Sequence, residues 1–339
     1  MMADADRMHV SGLDDLPAGW RNAVVAIGNF DGVHRGHQAV LESARVEAEH
    51  LDAACIMLTL EPHPRAFFSG RPLFRLTPEP IKAALATALG LDGMIVLRFD
   101  RDLASMSAED FVRDVLVERL AIRSAVTGYD FQFGKARRGT PEFLQDQGVL
   151  HSFSISVVPA LEEGGDAVSS TRVREALGKG DIDAANKLLG WRYSVAGTVV
   201  EGDRRGRDLG YPTANMVLDP ATELAHAIYA VRFLRPDGKL YDGVASYGRR
   251  PTFGGGDPVL ETFLFEFSGD LYGETALVSF HAFIRPEERF DSVPALVAQM
   301  EEDSIDARAR LERLPPSDLD RRIAAAWSGR PQAASPQKA

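Results

Sequence analysis

The stretch that decides the fold is AVVAIGNFDGVHRGH, residues 23–37. Its first five residues are apolar and partly β-branched, which predicts a buried strand, and a glycine-bounded turn follows before a helical pattern begins at Gly36. In an open parallel sheet, ligands bind at the carboxyl ends of the strands, and the free N–H groups of a helix N-terminus bind anions. The stretch therefore predicts a site for a nucleotide phosphate.

Apolar β-rich segments and amphipathic helical segments alternate through the first half of the chain. This alternation is typical of a parallel sheet covered by helices on both faces, so we predict a doubly wound α/β domain over residues 1–187. Ser107 is the expected N-cap of one helix. The predicted strands are 23–27, 53–60, 94–99, 125–129 and 153–158, and the predicted helices are 36–51, 80–89, 107–120, 171–177 and 182–189.

The second half changes character and reads as a series of strands. They are rich in Val, Phe and Tyr, and Pro236-Asp237-Gly238 supplies a hairpin turn. We predict a small antiparallel β-barrel with a C-terminal helix, residues 188–327, and a loose tail over residues 328–339. The predicted strands are 193–200, 228–234, 239–246, 260–267 and 275–284, and the helix runs from 293 to about 314.

Composition limits the classes of partner. The 339 residues suggest two domains, and the formal net charge of -11 opposes a nucleic-acid partner, which would need clustered basic residues. No segment approaches the ~20 uninterrupted apolar residues of a membrane span, so we expect a cytoplasmic protein. The single cysteine, Cys55, excludes an internal disulfide and is predicted to be a buried hydrophobe. The sequence does not set the oligomeric state.

His34 and His37 are the first candidate catalytic pair. They are three residues apart, so at the start of a helix both imidazoles project to the same side and can bind one phosphate. Gly28 and Gly36 lack a Cβ, which allows adenine and phosphate to approach the backbone closely. The alternative is that the two histidines and a glycine only cap a helix, but the strand–turn–helix context favours the phosphate site.

A second polar cluster, residues 169–174, begins the helical segment after the last strand of the first half. Thr171 and Arg174 share a helix face, and a hydroxyl with a guanidinium suits a departing pyrophosphate. An N-capping serine with a solvated arginine is the alternative. His63, between two prolines, is explained equally well as part of a rigid loop or as a ligand contact. The chain contains neither a P-loop nor a Gly-x-Gly-x-x-Gly motif, which disfavours the folds that depend on them.

The second half carries its own candidate site. Thr213 and Asn215 alternate by two, so an extended segment places both on one face, where hard oxygen ligands suit Mg²⁺ and ATP phosphates. Glu261 is the candidate general base, which takes the proton of a primary hydroxyl as that hydroxyl attacks a γ-phosphate. Each residue alone is compatible with a turn, a cap or a solvated surface. Their joint occurrence favours a kinase site.

Both halves resemble bacterial bifunctional riboflavin kinase/FAD synthetases. The adenylyltransferase half is matched by GNFDGVHRGH at 28–37, EPHPR at 61–65, GYDFQFG at 128–134 and SSTR at 169–172. The riboflavin kinase half is matched by GYPTAN at 210–215, GRRPTF at 248–253, Glu261 and DLYG at 270–273. The resemblance runs from about Val24 to about Asp303. Gln132 stands where arginine is more usual, and Ser246-Tyr247 replaces asparagine followed by a branched aliphatic residue.

The resemblance implies two reactions on small-molecule substrates. The second domain transfers phosphate from ATP to riboflavin, and in the first the FMN phosphate attacks the α-phosphorus of ATP directly, so that FAD forms and pyrophosphate leaves. Mg²⁺ is implied at both sites. The implied catalytic residues are His34, His37 and Glu261; the nucleotide contacts are Gly28, Asn29, Phe30, Gly36, Asp130, Ser170, Thr171, Arg172, Arg174, Gly206 and Gly210; the flavin contact is Arg285; and the metal ligands are Thr213 and Asn215.

Two rival functions compete with this interpretation. A nucleotidyltransferase with a single activity would use the barrel only as a passive flavin sensor, and Glu261 with the Thr213/Asn215 pair opposes that. A non-enzymatic, flavin-binding regulator that contacts RNA is opposed by the His34/His37 pair and by the acidic charge.

Overall fold

The computed structural model describes residues 9–202, 209–249 and 258–329. The chain divides into two compact units, one of Met1–Leu73 with Pro78–Ser169 and the other of Phe74–Thr77 with Ser170–Ala339. The helices at 170–178 and 182–189 therefore group with the second unit. The predicted domain boundary at residue 187 stays a prediction, because a grouping of residues by contacts does not show which fragments fold alone.

The first unit is built on a six-stranded parallel sheet of order β1-β4-β3-β2-β5-β6. This confirms the doubly wound α/β prediction. The order reverses between β2 and β5, which makes the carboxyl ends of these two neighbours the expected place for a ligand. The strands are β1 His9–Ser11, β2 Val24–Ile27, β3 Cys55–Glu61, β4 Gly93–Arg98, β5 Ser124–Gly128 and β6 Ser154–Val158, followed by a short hairpin of β7 Glu162–Glu163 and β8 Asp166–Ala167.

Helices cover both faces of this sheet. The predicted cap at Ser107 is present, because its side chain accepts from the Asp110 N–H, but the helix it starts continues as a π-helix over Phe111–Arg119. Cys55 is buried at the start of β3, and burial raises the pKa of its thiol to about 12. The helices are α1 Arg35–Leu51, α2 Pro64–Ser69, α3 Glu79–Ala88, α4 Arg101–Ser105, α5 Ala108–Asp110 and α6 Pro141–His151.

The core of the first unit follows from the alternation of the strands. In each strand, every second residue faces the π-helical segment and α6, and these residues form a single apolar cluster. The residues between them point to the opposite face of the sheet, where they are buried beneath α1 and α3. The shared cluster includes Val25, Ile27, Ile56, Leu58, Ile95, Leu97, Val112, Leu116 and Leu144.

The second unit contains a closed antiparallel barrel of order β10-β13-β12-β11-β14-β9, as predicted. The expected hairpin turn lies between β11 and β12, where Gly238 has a φ of 83° and the Arg235 N–H donates to the Lys239 carbonyl at 2.9 Å. The strands are β9 Ser194–Val200, β10 Thr213–Val217, β11 Ala227–Leu234, β12 Leu240–Arg249, β13 Pro258–Leu264 and β14 Thr275–Pro286.

The described residues of this unit include four helices: α7 Ser170–Gly178, α8 Ile182–Leu189, α9 Val293–Arg313 and α10 Asp318–Ser328. Ser292 caps α9, and buried Arg232 joins that helix to the barrel by donating to the Leu311 and Leu314 carbonyls. One C-terminal helix was expected from the sequence, and the second, α10, was missed, although Ser317 and Asp320 start it with a capping box. Of the expected tail, residues 330–339 lie outside the described residues.

The contacts of α8 predict where a stable kinase fragment must begin. Buried Asn186 donates to the Phe280 carbonyl at 3.0 Å and accepts from the Tyr193 N–H at 2.8 Å, so it holds the start of β9 against β14. We expect residues 170–339 to fold alone and make FMN but not FAD, and residues 188–339 to unfold at a lower temperature, since truncation leaves those buried backbone groups unpaired. Thermal unfolding and riboflavin phosphorylation of both fragments check this. A folded 170–339 fragment without kinase activity would contradict an independent kinase module.

Two candidate active sites

The first candidate site is built on the turn between β2 and α1. Phe30 has a φ of 48° and Val33 a φ of 37°, a region that side-chain-bearing residues avoid. Both side chains are buried, at 1% and 0% exposure, so packing holds a backbone that is otherwise unfavourable. The turn is thus a fixed platform, of the kind found at functional sites.

Gly28 and Gly36 leave little room for a side chain, because aromatic rings of the same turn lie close to both. A Cβ at Gly28 would lie 3.1 Å from the Phe30 ring, and a Cβ at Gly36 would lie 3.2 Å from the His34 ring. From the sequence, both glycines are expected to allow the close approach of adenine and phosphate. The structure adds that the rings of Phe30 and His34 pack directly over them.

His34 and His37 project to the same side, as predicted. His34 is the N-cap of α1, and its Nδ1 accepts from the His37 N–H at 3.3 Å. The two imidazoles stack with centroids 3.7 Å apart and planes 17° from parallel, and the His37 ring meets the Phe30 ring edge-on at 5.4 Å. One ligand phosphate can therefore reach both imidazoles.

Both imidazoles are neutral at pH 7. Burial lowers the pKa of His34 to about 4. Burial also lowers the pKa of His37 well below its usual value, and electrostatic interaction with His34, Lys82 and His63 lowers it further. Because His34 Nδ1 accepts a hydrogen bond, the single proton of its neutral ring lies on Nε2, where it can be donated to a phosphate oxygen.

Two polar atoms of this site are buried and find no hydrogen-bond partner within the described part of the chain. They are His37 Nδ1 and Asn29 Oδ1. Buried polar atoms are almost always satisfied in folded proteins, so two exceptions beside one helix N-terminus indicate a polar ligand.

Asp130 lies at the same edge of the sheet as the histidines. It follows β5, the parallel neighbour of β2, and the carboxyl ends of neighbouring parallel strands meet at one edge. Its side chain is exposed, and its Oδ1 would lie 3.3 Å from a Cβ at Gly128. The structure therefore leaves Asp130 where a nucleotide can reach it.

The predicted pyrophosphate residues occupy the first turns of α7. Thr171 and Arg174 are separated by one helical turn, and Arg174 Nε donates to the Phe74 carbonyl at 2.7 Å. Arg174 is thus engaged with backbone in its own unit. The phosphate contacts of these residues, with Ser170 and Arg172, stay predictions.

Sequence reasoning missed Lys82, which is 2% exposed on α3. Its Nζ lies 3.0 Å from the Asn29 carbonyl oxygen and 3.1 Å from Thr59 Oγ1. His63, left open above, caps α2 by accepting from the Arg65 N–H at 3.1 Å. A signal for Lys82 existed: it is the one charged residue between Glu79 and Asp92, in an otherwise apolar helical stretch.

The low pKa of His34 predicts how stability depends on pH. The unfolded state binds a proton at about pH 6.5 and the folded state only near pH 4, so His34 favours folding above that window and this contribution is lost as the pH falls through it. We expect thermal unfolding to show a smaller loss between pH 7 and pH 5 in His34→Asn than in the unaltered protein, since asparagine also caps helices. Equal losses would mean that His34 titrates normally.

The second candidate site is a row of side chains across three barrel strands. Asn215 on β10 lies directly opposite Glu261 on β13, and Glu261 lies opposite Ser246 on β12. Residues opposite one another share a face of the sheet. On β13 the buried residues Leu260 and Thr262 fill the barrel interior, so the row lies on its outer face.

Thr213 stands two residues before Asn215 on the same strand, as predicted for a pair of oxygen ligands. Asn215 Nδ2 donates to the Thr213 carbonyl at 3.2 Å, which turns the amide nitrogen toward its own strand. Gly210 has a φ of 85° in the turn before β10. Gly206, predicted as a nucleotide contact, and residues 250–253 of the GRRPTF motif lie outside the described residues.

Arg285, predicted as a flavin contact, forms a two-pronged ion pair in the structure. Its Nε and Nη2 lie 2.8 and 2.7 Å from the carboxylate oxygens of buried Asp303 on α9. Its guanidinium also stacks over the Phe290 ring at 5.6 Å. This geometry joins β14 to α9, and the flavin contact stays a prediction.

Comparison with known proteins matches each half of the chain to a family model. A family model described as FAD synthetase matches residues 16–172, and one described as riboflavin kinase matches residues 189–311. The bifunctional riboflavin kinase/FMN adenylyltransferase of Pseudomonas fluorescens is 40% identical over 88% of this chain and 96% of its own length. The protein of that name from Escherichia coli K12 is 38% identical over 84% and 91%. The chain belongs to the bifunctional riboflavin kinase/FMN adenylyltransferase family.

The fold also matches a solved structure. A crystal structure titled as a macrolide-efflux protein from Streptococcus pneumoniae superposes with a TM-score of 0.79 at 30% identity, over 89% of this chain and 99% of that one. In the described ranges of the present chain, no helix is long and apolar enough to cross a membrane.

The departure from the family pattern at Ser246-Tyr247 falls within the second site. Ser246 lies beside Glu261, and its Oγ is 3.5 Å from the Glu287 carboxylate. Tyr247 points into the barrel, is fully buried, and donates to the Thr222 carbonyl at 3.1 Å. The larger residue therefore fills the barrel interior, while the smaller one changes the surface beside the candidate base.

Proposed function

We propose that the second unit phosphorylates riboflavin to FMN and that the first unit adenylylates FMN to FAD. The observation that best supports adenylylation is the stacked His34/His37 pair at the N-terminus of α1. The Nδ1 atom of His37 is buried and has no hydrogen-bond partner among the described residues. The observation that best supports phosphorylation is the placement of Asn215 and Glu261 as direct neighbours on two strands.

In the adenylylation reaction, an oxygen of the FMN phosphate attacks the α-phosphorus of ATP, and the bond to the β-phosphate breaks to release pyrophosphate. Neutral His34 and His37 donate hydrogen bonds to phosphate oxygens as charge develops on them, and neither acts as a nucleophile. Asn29 and Asp130 follow the neighbouring parallel strands β2 and β5, so both stand at the carboxyl end of the sheet where the nucleotide would bind.

In the phosphorylation reaction, the primary hydroxyl of riboflavin attacks the γ-phosphorus of ATP, and ADP leaves. The Glu261 carboxylate accepts the hydroxyl proton. The hydroxyl of Thr213 and the amide of Asn215 fit Mg²⁺ because both offer hard oxygen donors from one strand, next to a carboxylate. An ion held by these two residues would supply neutralisation of charge on the ATP phosphates. We also infer a cytoplasmic location, since both reactions consume ATP.

Two separate assays test the assignment of one reaction to each unit. With FMN and ATP, the full chain should release pyrophosphate and form FAD in equal amounts. With riboflavin and ATP, the 170–339 fragment should form FMN and ADP in equal amounts and no FAD. FAD formation by that fragment would contradict the assignment.

A further inference from the structure

Lys82 is a buried cation that neither proposed reaction uses. It lies on α3 among buried apolar residues, and its side chain is 3% exposed. Burial of an ammonium group is costly unless that group is paired and hydrogen-bonded. Its partners therefore indicate what it does in this unit.

The ammonium group belongs to a closed triangle with Thr59 and the Asn29 carbonyl. The three sides are Nζ to the Asn29 oxygen at 3.0 Å, Nζ to Thr59 Oγ1 at 3.1 Å, and Thr59 Oγ1 to the Asn29 oxygen at 3.0 Å. Lysine only donates, so the Thr59 hydroxyl accepts from Nζ and donates its own hydrogen to the carbonyl. The Asn29 carbonyl thus accepts two hydrogen bonds, one of them from a charged group.

Asn29 opens the strained turn that carries the histidines. Phe30 and Val33 follow it in left-handed conformations, which persist only where the surroundings hold them. We propose that Lys82 is a positioning residue for FMN adenylylation, which fixes the Asn29 carbonyl and through it the turn that presents His34 and His37. This inference rests on the proposed adenylylation at these histidines.

Lys82 also acts on the histidines through its charge. Its positive charge adds to burial in lowering the pKa of His37. Glu61 lies 3.7 Å from the ammonium and opposes part of that field. Removal of the ammonium therefore raises the pKa of His37, and the remaining Glu61 carboxylate shifts it in the same direction. Since the neutral imidazole is the form assigned to catalysis, the acid limb of the rate profile should move to higher pH.

The test compares three single variants of the full chain, and the double variant of Lys82→Met with Thr59→Val, over a range of pH with FMN and ATP as substrates. Lys82→Met keeps the approximate length of the side chain and removes the charge, and Lys82→Arg keeps the charge. Thr59→Val removes the hydroxyl, and with it two of the three sides of the triangle. We expect Lys82→Met to lower kcat for FAD synthesis about 10-fold with little change in KM for ATP, because misplacement of the reacting groups lowers the rate of the chemical step. The acid limb should move upward in Lys82→Met and return in Lys82→Arg.

Thr59→Val should lower kcat by a smaller factor than Lys82→Met does, without moving the acid limb. The fold-loss in kcat of the double variant should be smaller than the product of the two single fold-losses, since both side chains bind the same Asn29 carbonyl. Riboflavin phosphorylation in the same preparations is the internal control for folding. An unchanged kcat in Lys82→Met, or a loss with an unmoved acid limb, would overturn the inference. If Lys82→Met does not fold, full activity in Thr59→Val would overturn it. Failure of the proposed function would appear separately, as no FAD from the unaltered chain.

Discussion

Replacement of His37 by alanine is expected to block FAD formation and leave riboflavin phosphorylation intact. The imidazole stacks on His34 at the N-terminus of α1, and its Nδ1 is buried without a partner among the described residues. Removal of one such preorganised donor costs ~10²–10³-fold in rate. FMN and riboflavin are supplied in separate assays with ATP, and initial rates are measured.

His50→Ala is the matched control, because His50 lies exposed in the last turn of the same helix. It should form FAD at the unaltered rate. If His37→Ala also retains full FAD synthesis, the β2–α1 turn is not the adenylylation site.

Glu261→Gln is expected to show the converse pattern. Glutamine keeps the shape of the side chain opposite Asn215 but cannot accept the hydroxyl proton. General-base catalysis contributes ~10²–10⁴-fold, so riboflavin phosphorylation should fall by about that factor, while adenylylation of supplied FMN is unchanged.

Loss of barrel stability would also lower phosphorylation, so thermal unfolding is measured beside the rates. Glu288→Gln, at an exposed position after β14, serves as the matched control and should keep full activity. A fully active Glu261→Gln at saturating ATP would make Glu261 a structural residue, and the base would lie elsewhere in the second unit.

Much of this fold follows from local sequence signals. The β2–α1 stretch could be placed because an apolar strand, two glycines and a capping histidine agree with one another, and such agreement across levels specifies structure. Helices α6 and α10 were missed although Thr140 with Pro141, and Ser317 with Asp320, are N-terminal capping patterns. The π-helical turns after Asp110 have no comparable signal, because their register depends on packing.

The two sites were predicted less completely, because their contacts join segments that are distant in the sequence. The pairing of Asn215 with Glu261 is a matter of strand register between distant segments, so sequence supplies the residue types but not their contact. Arg285 shows the same limit, because its partner Asp303 lies on a separate helix. The role of Lys82 depends on a carbonyl of the β2–α1 turn and a hydroxyl of β3, which only the folded sheet brings together.

The most direct test of the central claim is a time course with the full chain, riboflavin, ATP and Mg²⁺, in which flavins are separated by chromatography. Both reactions in one chain predict that FMN appears first and that FAD then accumulates as FMN is consumed. Formation of FMN without FAD from either riboflavin or supplied FMN, or of neither product, would contradict the claim that this chain carries both activities.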